Sequence, residues 1–315
     1  MSYFMSLNPL SLFRAMPGSI AQGMIWGVMA LGVYITFRLL DFADLTVDGS
    51  IATGAAVSVM LIRAGVSPIA TLPIAFLAGA LAGMVTGLLN TALGIPGILA
   101  SILTQISLYS INLNIMGKAN QPVSVDNYPL VVSLRYVTDG SVSRLLFFLG
   151  MIVFLLALIA VMYWYFGTEQ GHAIRATGCN GNMARAQGIN TNFIKVLALM
   201  ISNGLVGLCG ALYGQFQGAS DVNMGRGAIV IGLAAVIIGE VLFGKFASKR
   251  KLAFFAFTLA SVILGAVIYY MVYQFVLWLK MPSEDMKLFS AIVVAIFLAI
   301  PYLKEKRTLR KGASK

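Results

Sequence analysis

The chain has 315 residues, 59% of them hydrophobic and only 10% charged, with 22 Lys and Arg against 11 Asp and Glu and a formal net charge of +11. Soluble domains carry about 25% charged residues, so a water-soluble fold is excluded and the bilayer is the natural solvent, where a crossing helix needs about 20 apolar residues. The positive charge flanks apolar runs, as membrane-face charge does, and calls for no nucleic acid. The pattern predicts a single all-α polytopic membrane domain over 1–315. Nine spans are expected, at 17–37, 46–62, 67–89, 97–115, 144–166, 194–217, 225–243, 252–279 and 288–303. Residues 1–16 contain Pro9 and Arg14, with no basic start and no clear cleavage site, and do not read as a signal peptide.

Span one carries Gly23 and Gly27, and span three carries Gly79, Gly83 and Gly87, all at four-residue spacing. Small residues in that register let helix backbones approach each other. Between spans one and two lies L-D-F-A-D-L-T-V-D-G-S, with Asp41, Asp44 and Asp48. Two readings stay open there. The run is a solvated turn with Thr46 or Asp48 capping a helix from Gly49, or it is acidic because it lines a cavity at membrane depth. Span four holds Gln105, Asn112 and Asn114, and span six ends on Gln215 and Gln217. Amides in hydrocarbon either tie helices together or line a polar path.

Residues 167–193 form the longest polar stretch of the second half, with Glu169, His172, Arg175 and Arg185, no proline, and breaks at Gly171, Gly178, Gly181 and Gly188. A polar loop with helical pieces, on the basic side of a membrane protein, suggests a docking surface for a soluble partner. Glu240 sits inside span seven, near its inner end, where an ion pair with Lys245 is the expected arrangement. The stretch Gly239 to Lys245 mimics the start of a phosphate-binding loop. It continues with Phe246 where that loop needs a hydroxyl, and it ends an apolar span instead of joining strand to helix. No ATP site follows from it.

The basic residues set the orientation. With 167–193 inside, fourteen of the 22 Lys and Arg fall inside, among them the two densest clusters, 245–251 and 304–315. The C-terminus is then cytoplasmic and the N-terminus, after nine spans, outside. Cys179 in the loop and Cys209 in a span are not expected to pair, and the lone His172 reads as a helix-surface residue. No nucleophile with its base and no metal-ligand spacing is present, so neither an enzyme nor a bound cofactor or metal is expected. Residues 49–60 align with 227–238 at Gly49/Gly227, Ile51/Ile229, Gly54/Gly232 and Ala56/Ala234. The two spans run in opposite directions, which suggests an inverted internal repeat with a substrate path at its interface.

A-I-R-A-T-G-C-N-G-N-M-A-R-A-Q-G-I-N (173–190), then G-L-C-G-A-L-Y-G-Q-F-Q-G (207–218), together with L-D-F-A-D-L-T-V-D-G-S-I-A-T-G-A (40–55), resemble the permease subunits of bacterial ABC importers of the branched-chain amino acid and ribose type. The resemblance runs through most of the chain. It implies that the coupling segment lies within 167–193, with Arg175, Ala176, Thr177, Asn180, Met183, Ala184 and Gly188 facing a separate ATPase. Met183 would be an apolar knob and Arg175 a rim charge. It further implies two permease subunits (a homodimer in preference to a heterodimer), two ATP-binding cassette subunits and an extracytoplasmic substrate-binding protein, in a bacterial inner membrane. The family's H-G-E becomes D-L-T-V-D-G here, and its Gly-Gly becomes Gly239-Glu240. In the L-D-F-A-D-L-T-V-D-G form and the S-L-Y-S-I-N-L-N-I-M-G run the chain resembles a side branch with members associated with aromatic amino-acid uptake. The expected translocation path takes in Asp44, Asp48, Asn112, Asn114 and Gln215. The competing reading is an ion-coupled secondary transporter that uses the Asp cluster and Glu240 as proton carriers. Such a carrier has no need of a docking segment.

Overall fold

The computed structural model describes residues 9–138, 141–248 and 254–279, with scattered positions between 288 and 299. Most of the ninth expected span and the basic side chains of 245–251 and 304–315 fall outside the described residues. From the N-terminus the chain forms α1 (Pro9–Tyr34), a π-helical turn (Ile35–Leu39), α2 (Val47–Arg63), α3 (Pro68–Thr91), α4 (Gly97–Met116), β1 (Asn120–Pro122), α5 (Leu134–Thr138), α6 (Ser141–Phe166), α7 (Glu169–Cys179), α8 (Gly181–Ala186), α9 (Thr191–Gln217), β2 (Ala219–Asp221), α10 (Ala228–Ser248) and α11 (Phe254–Trp278). Punctuation follows the sequence. Pro68 opens α3, while α4 and α9 stop at Gly117 and Gly218 in the left-handed conformation that glycine adopts without steric cost.

Among the described residues six helices are long and apolar enough to cross a bilayer: Leu10–Leu39, α3, α4, Val142–Phe166, α9 and α11. Helix α2 has 17 residues, and the apolar part of α10, Ala228–Phe243, is also short. At 1.5 Å per residue α2 reaches only about 25 Å.

Helix α9 is the hub, packed on α1, α2 and α3, while α11 joins α1 to α10. The α3–α9 contact is backbone to backbone: a side chain on Gly79 or Gly83 would run into the carbonyls of Asn203 and Leu199. Lipid gives helices no hydrophobic reason to associate, so this closeness, with its dispersion contacts, holds the pair. The glycines of α1 serve the same end, Gly23 and Gly27 lying against Val267 and Ile263 of α11. The outer shell is apolar, with Leu77, Leu81, Leu149, Val153 and Leu156 exposed, a surface suited to acyl chains.

Helices α2 and α10 start at one point and run apart. The Asp48 carboxylate accepts hydrogen bonds from the backbone N–H groups of Gly227 (2.9 Å) and Ile229 (3.0 Å) at the start of α10. The far end of α2, at Val59 and Ile62, packs on Val123 and Leu130, beside the antiparallel pairing of β1 with β2. Farther along α10, Glu240 is bound by Arg38, whose Nε lies 2.9 Å from Oε1, next to the π-helical turn on which Gly178 of α7 rests. The β pair therefore lies at one end of the molecule and the α7–α8 segment at the other. The turn at Ile35–Leu39 brings Arg38 alongside α10 to make this bridge, while the expected Glu240–Lys245 pair rests on a side chain outside the described residues.

Candidate functional site

The polar segment folds because three of its side chains replace missing backbone partners. Thr168 Oγ1 accepts from the Gly171 N–H (3.5 Å) and starts α7. Asn180 Oδ1 accepts from Met183 (3.0 Å) and starts α8, and Asn190 Oδ1 accepts from Phe193 (3.2 Å) and starts α9. Gly188, at φ 84°, turns the chain between the last two. Ala184 and Thr177 are buried, Ala176 is half-buried, and Asn180 and Gly188 are exposed. Met183 is 63% exposed, a large apolar side chain on an otherwise polar element.

Arg175 is half-buried and packs on aromatic rings. Its guanidinium lies over the Phe255 ring at 4.3 Å and near that of Phe166 at 5.8 Å. This cation–π stack ties α7 to α6 and α11. His172 and Arg175 border a second cavity with Tyr163, Trp164 and Phe254.

Two of the expected path residues sit in closed hydrogen-bond networks. Asp44 accepts from the Thr46 N–H (2.9 Å) and from Asn203 Nδ2 (2.7 Å), while Ser50 donates to Asn203 Oδ1 (2.7 Å). Thr46, Thr86 and Thr104 form a chain of hydroxyls beside it. Gln215 accepts from the Val131 N–H and donates toward Ser58, Thr71 and the Pro68 carbonyl. Both residues bind α9 to its neighbours. Asn114 is exposed on α4.

Asp48 and Asn112, far apart in sequence, come together at a cavity of about 280 Å³. Its walls are the start of α2 (Asp48, Gly49, Ala52), one side of α4 (Gln105, Ile106, Tyr109, Ser110, Asn112) and the loop before α10 (Val222, Asn223, Arg226). That loop runs back along α2, with Val222 beside Ala56 and a side chain on Gly225 precluded by the Asp48 carbonyl. Irregular backbone beside buried helices belongs in a membrane protein only where protein or a cavity shields it from lipid. Asn112 is 1% exposed, and neither Oδ1 nor Nδ2 has a hydrogen-bond partner. Arg226 is exposed and forms no ion pair among the described residues. Sequence reasoning passed over Arg226, Tyr109 and Asn203. The signal for Arg226 was a lone cation two residues ahead of α10.

Residues 16–301 match the family described as the branched-chain amino acid transport system permease component. The chain belongs to that family. The permease is 40% identical over 280 residues, 89% of each chain, to the tyrosine transport system permease protein of Clostridioides difficile (strain R20291). It is 31% identical to an uncharacterized protein of Rickettsia prowazekii (strain Madrid E), over 89% of this chain and 95% of that one. It is 27% identical to the inner membrane ABC transporter permease protein YjfF of Escherichia coli (strain K12), over 69% and 64%. No solved structure matches the permease. It is the membrane-embedded, multi-pass permease subunit of an ABC importer, a transport component and not an enzyme. The ion-coupled reading is set aside on this ground.

Proposed function

We propose that the permease conducts an amino acid inward, with energy from ATPase subunits that dock on α7 and α8. The observation that carries this reading is Met183, held out by the Asn180 cap at 63% exposure on the end of the molecule opposite the β pair. Interfaces favour Met and concentrate their energy in a few such anchors. Arg175, stacked on Phe255, would pass motion of α7 to α11. An aromatic amino acid is the favoured substrate, since the 40% identical relative is a tyrosine transport system permease.

The full assembly in this reading has two copies of the permease, two ATP-binding cassette subunits and an extracytoplasmic binding protein. Nine spans, built as two inverted repeats, leave the C-terminus in the cytoplasm and the N-terminus outside. The path runs between the repeats past Asp48 and Asn112. Ser107, Ser110 and Asn114 lie exposed along one stripe of α4, and such a stripe suits a second permease copy and a hydrated path better than lipid.

The test is Met183→Asp in the reconstituted transporter. The variant reaches the membrane in normal amount and loses substrate-stimulated ATP hydrolysis. Stimulation at the wild-type level would remove α8 from the coupling role.

A further inference from the structure

We infer that the groove where α6, α7 and α11 meet binds the phosphate headgroup of an anionic membrane lipid. The site needs only the membrane location that the family shows, and nothing about the solute or the docking of an ATPase. Position, charge and lining carry it together.

The groove holds about 570 Å³, within the range of small-molecule sites, roughly 300–1,000 Å³. Its walls come from the last turn of α6 (Tyr163, Trp164) and the first of α11 (Phe254, Phe255), two helices long and apolar enough to cross the bilayer. It therefore sits where hydrocarbon gives way to headgroups. The face of α6 that leads to it is open and apolar, with Val153, Leu156, Val161 and Trp164 each 60% exposed or more, so acyl chains can lie along it. The charge is of one sign. Arg175 and His172 line the groove, and no carboxylate is among the described residues that do, Glu169 being exposed on the first turn of α7 outside the lining. Arg175 makes no hydrogen bond or ion pair among the described residues. Its Nε is shut away from solvent, while its two terminal nitrogens keep access to it. The rings of Phe255 and Phe166 hold the guanidinium by stacking, which uses none of its N–H donors and leaves the fork ready for phosphate oxygens. His172 Nδ1 lies 2.8 Å from the Thr168 carbonyl. A carbonyl only accepts, so Nδ1 carries the hydrogen and Nε2 is the ring's remaining polar atom. In sequence, Lys249-Arg250-Lys251 stand just before α11, the kind of basic run that draws anionic lipid to a membrane face. The lining then selects a lipid over a soluble phosphate. Tyr163, Trp164 and Phe254 are exposed, and Tyr and Trp rings belong at the headgroup level. A free phosphate would leave them bare, whereas the glycerol and first methylenes of a lipid cover them.

The test reads tryptophan fluorescence from the full-length permease in vesicles of phosphatidylcholine with a minor share of phosphatidylglycerol. Bromine on the acyl chains quenches the rings it touches. It is carried by one lipid or the other, at the same mole fraction and the same overall composition. Trp164 reports on the groove, one of three tryptophans in the chain, and Trp26 is buried in protein. The brominated anionic lipid should be favoured over the zwitterionic one about fivefold, the worth of roughly one cation beside an anionic surface. Trp164→Phe should lose the difference. Arg175→Gln should bring the two lipids to parity, and His172→Gln should weaken the preference. Arg185→Gln removes one charge from α8, outside the groove, and should leave the preference unchanged. Should Arg175→Gln fail to fold, His172→Gln decides, because that side chain is exposed and its hydrogen bond is local. Parity in the wild type overturns the site, and so does an undiminished preference in the deciding variant. An equal loss in Arg185→Gln would mark diffuse surface charge and overturn it too. Loss of the preference on adding millimolar inorganic phosphate would make soluble phosphate the ligand and overturn the lipid.

Discussion

Asp48 caps a helix that is not its own. The sequence suggests that Thr46 or Asp48 caps a helix from Gly49. Instead α2 begins at Val47, Thr46 makes no side-chain cap, and the Asp48 carboxylate serves α10 about 180 residues away. The reason is the loop before α10, which packs so closely on α2 that Gly225 has no room for a side chain beside the Asp48 carbonyl. The N-terminal end of α10 carries partial positive charge that an anion satisfies. Asp48→Ala should therefore destabilise the permease by about 1–2 kcal/mol, the cost of losing a helix N-cap. Asp48→Asn keeps one oxygen acceptor and should lose roughly half as much. Thermal melting of the purified protein in lipid discs checks this, and an unchanged alanine variant would mean that the cap carries no stability. Glu240 teaches the same lesson. It is bridged by Arg38, about 200 residues away, and no reading of neighbours along the chain foresees a bridge between distant helices.

At the scale of elements, helical pieces within 167–193 were legible, but their bounds were not: of the expected glycine breaks Gly171 and Gly178 lie inside α7, and α7 and α8 start instead at the Thr168 and Asn180 caps. The glycine register of α1 and α3 was legible as a sign of close helices, though its partners were not. Only the folded chain shows that Gly79 and Gly83 meet α9, and Gly27 α11. The π-helical turn at Ile35–Leu39 left no sequence mark, since the extra residue it accommodates is absorbed by packing under α7. A pair of identical changes separates packing from propensity. Gly79→Ala forces a methyl group into the Asn203 carbonyl, and overpacking of that kind costs about 1–3 kcal/mol. Gly150→Ala, on the open face of α6, meets nothing within 4 Å and should gain about 0.5–1 kcal/mol from helix propensity. The two melting temperatures should move in opposite directions. A common direction would show that the α3–α9 contact is looser than its backbone spacing requires.

For the whole molecule, length and hydropathy were enough to recognise a polytopic helical protein, because a crossing helix is set by bilayer thickness. They were not enough to place α2 and α10 head to head. Helix α2 and the apolar part of α10 are short, and the sequence shows no link between the polar run at Asp44 to Asp48, which it left open as turn or cavity wall, and Asn223 to Arg226. Asp48 and Asn112 stood out as polar groups in apolar surroundings and line one cavity, whereas Asp44 and Gln215, singled out by the same rule, are hydrogen-bonded to other elements of the core. Polarity at depth does not by itself tell a cavity wall from a tie between helices, and the fold separates the two. The separation of the β pair from the α7–α8 segment makes the last prediction a geometric one. In a background with Cys179→Ser and Cys209→Ala, single cysteines replace Asn127, exposed near the β pair, and Asn182, exposed on α8. On the proposed orientation, with the α7–α8 end in the cytoplasm, a maleimide that cannot cross the membrane should label Asn127→Cys in right-side-out vesicles and Asn182→Cys only in inverted ones. Removing Cys209 disturbs little beyond its hydrogen bond to the Ile25 carbonyl, so the background should insert normally. Labelling of both positions from one side would break the orientation and, with it, the docking of any cytoplasmic ATPase on α8.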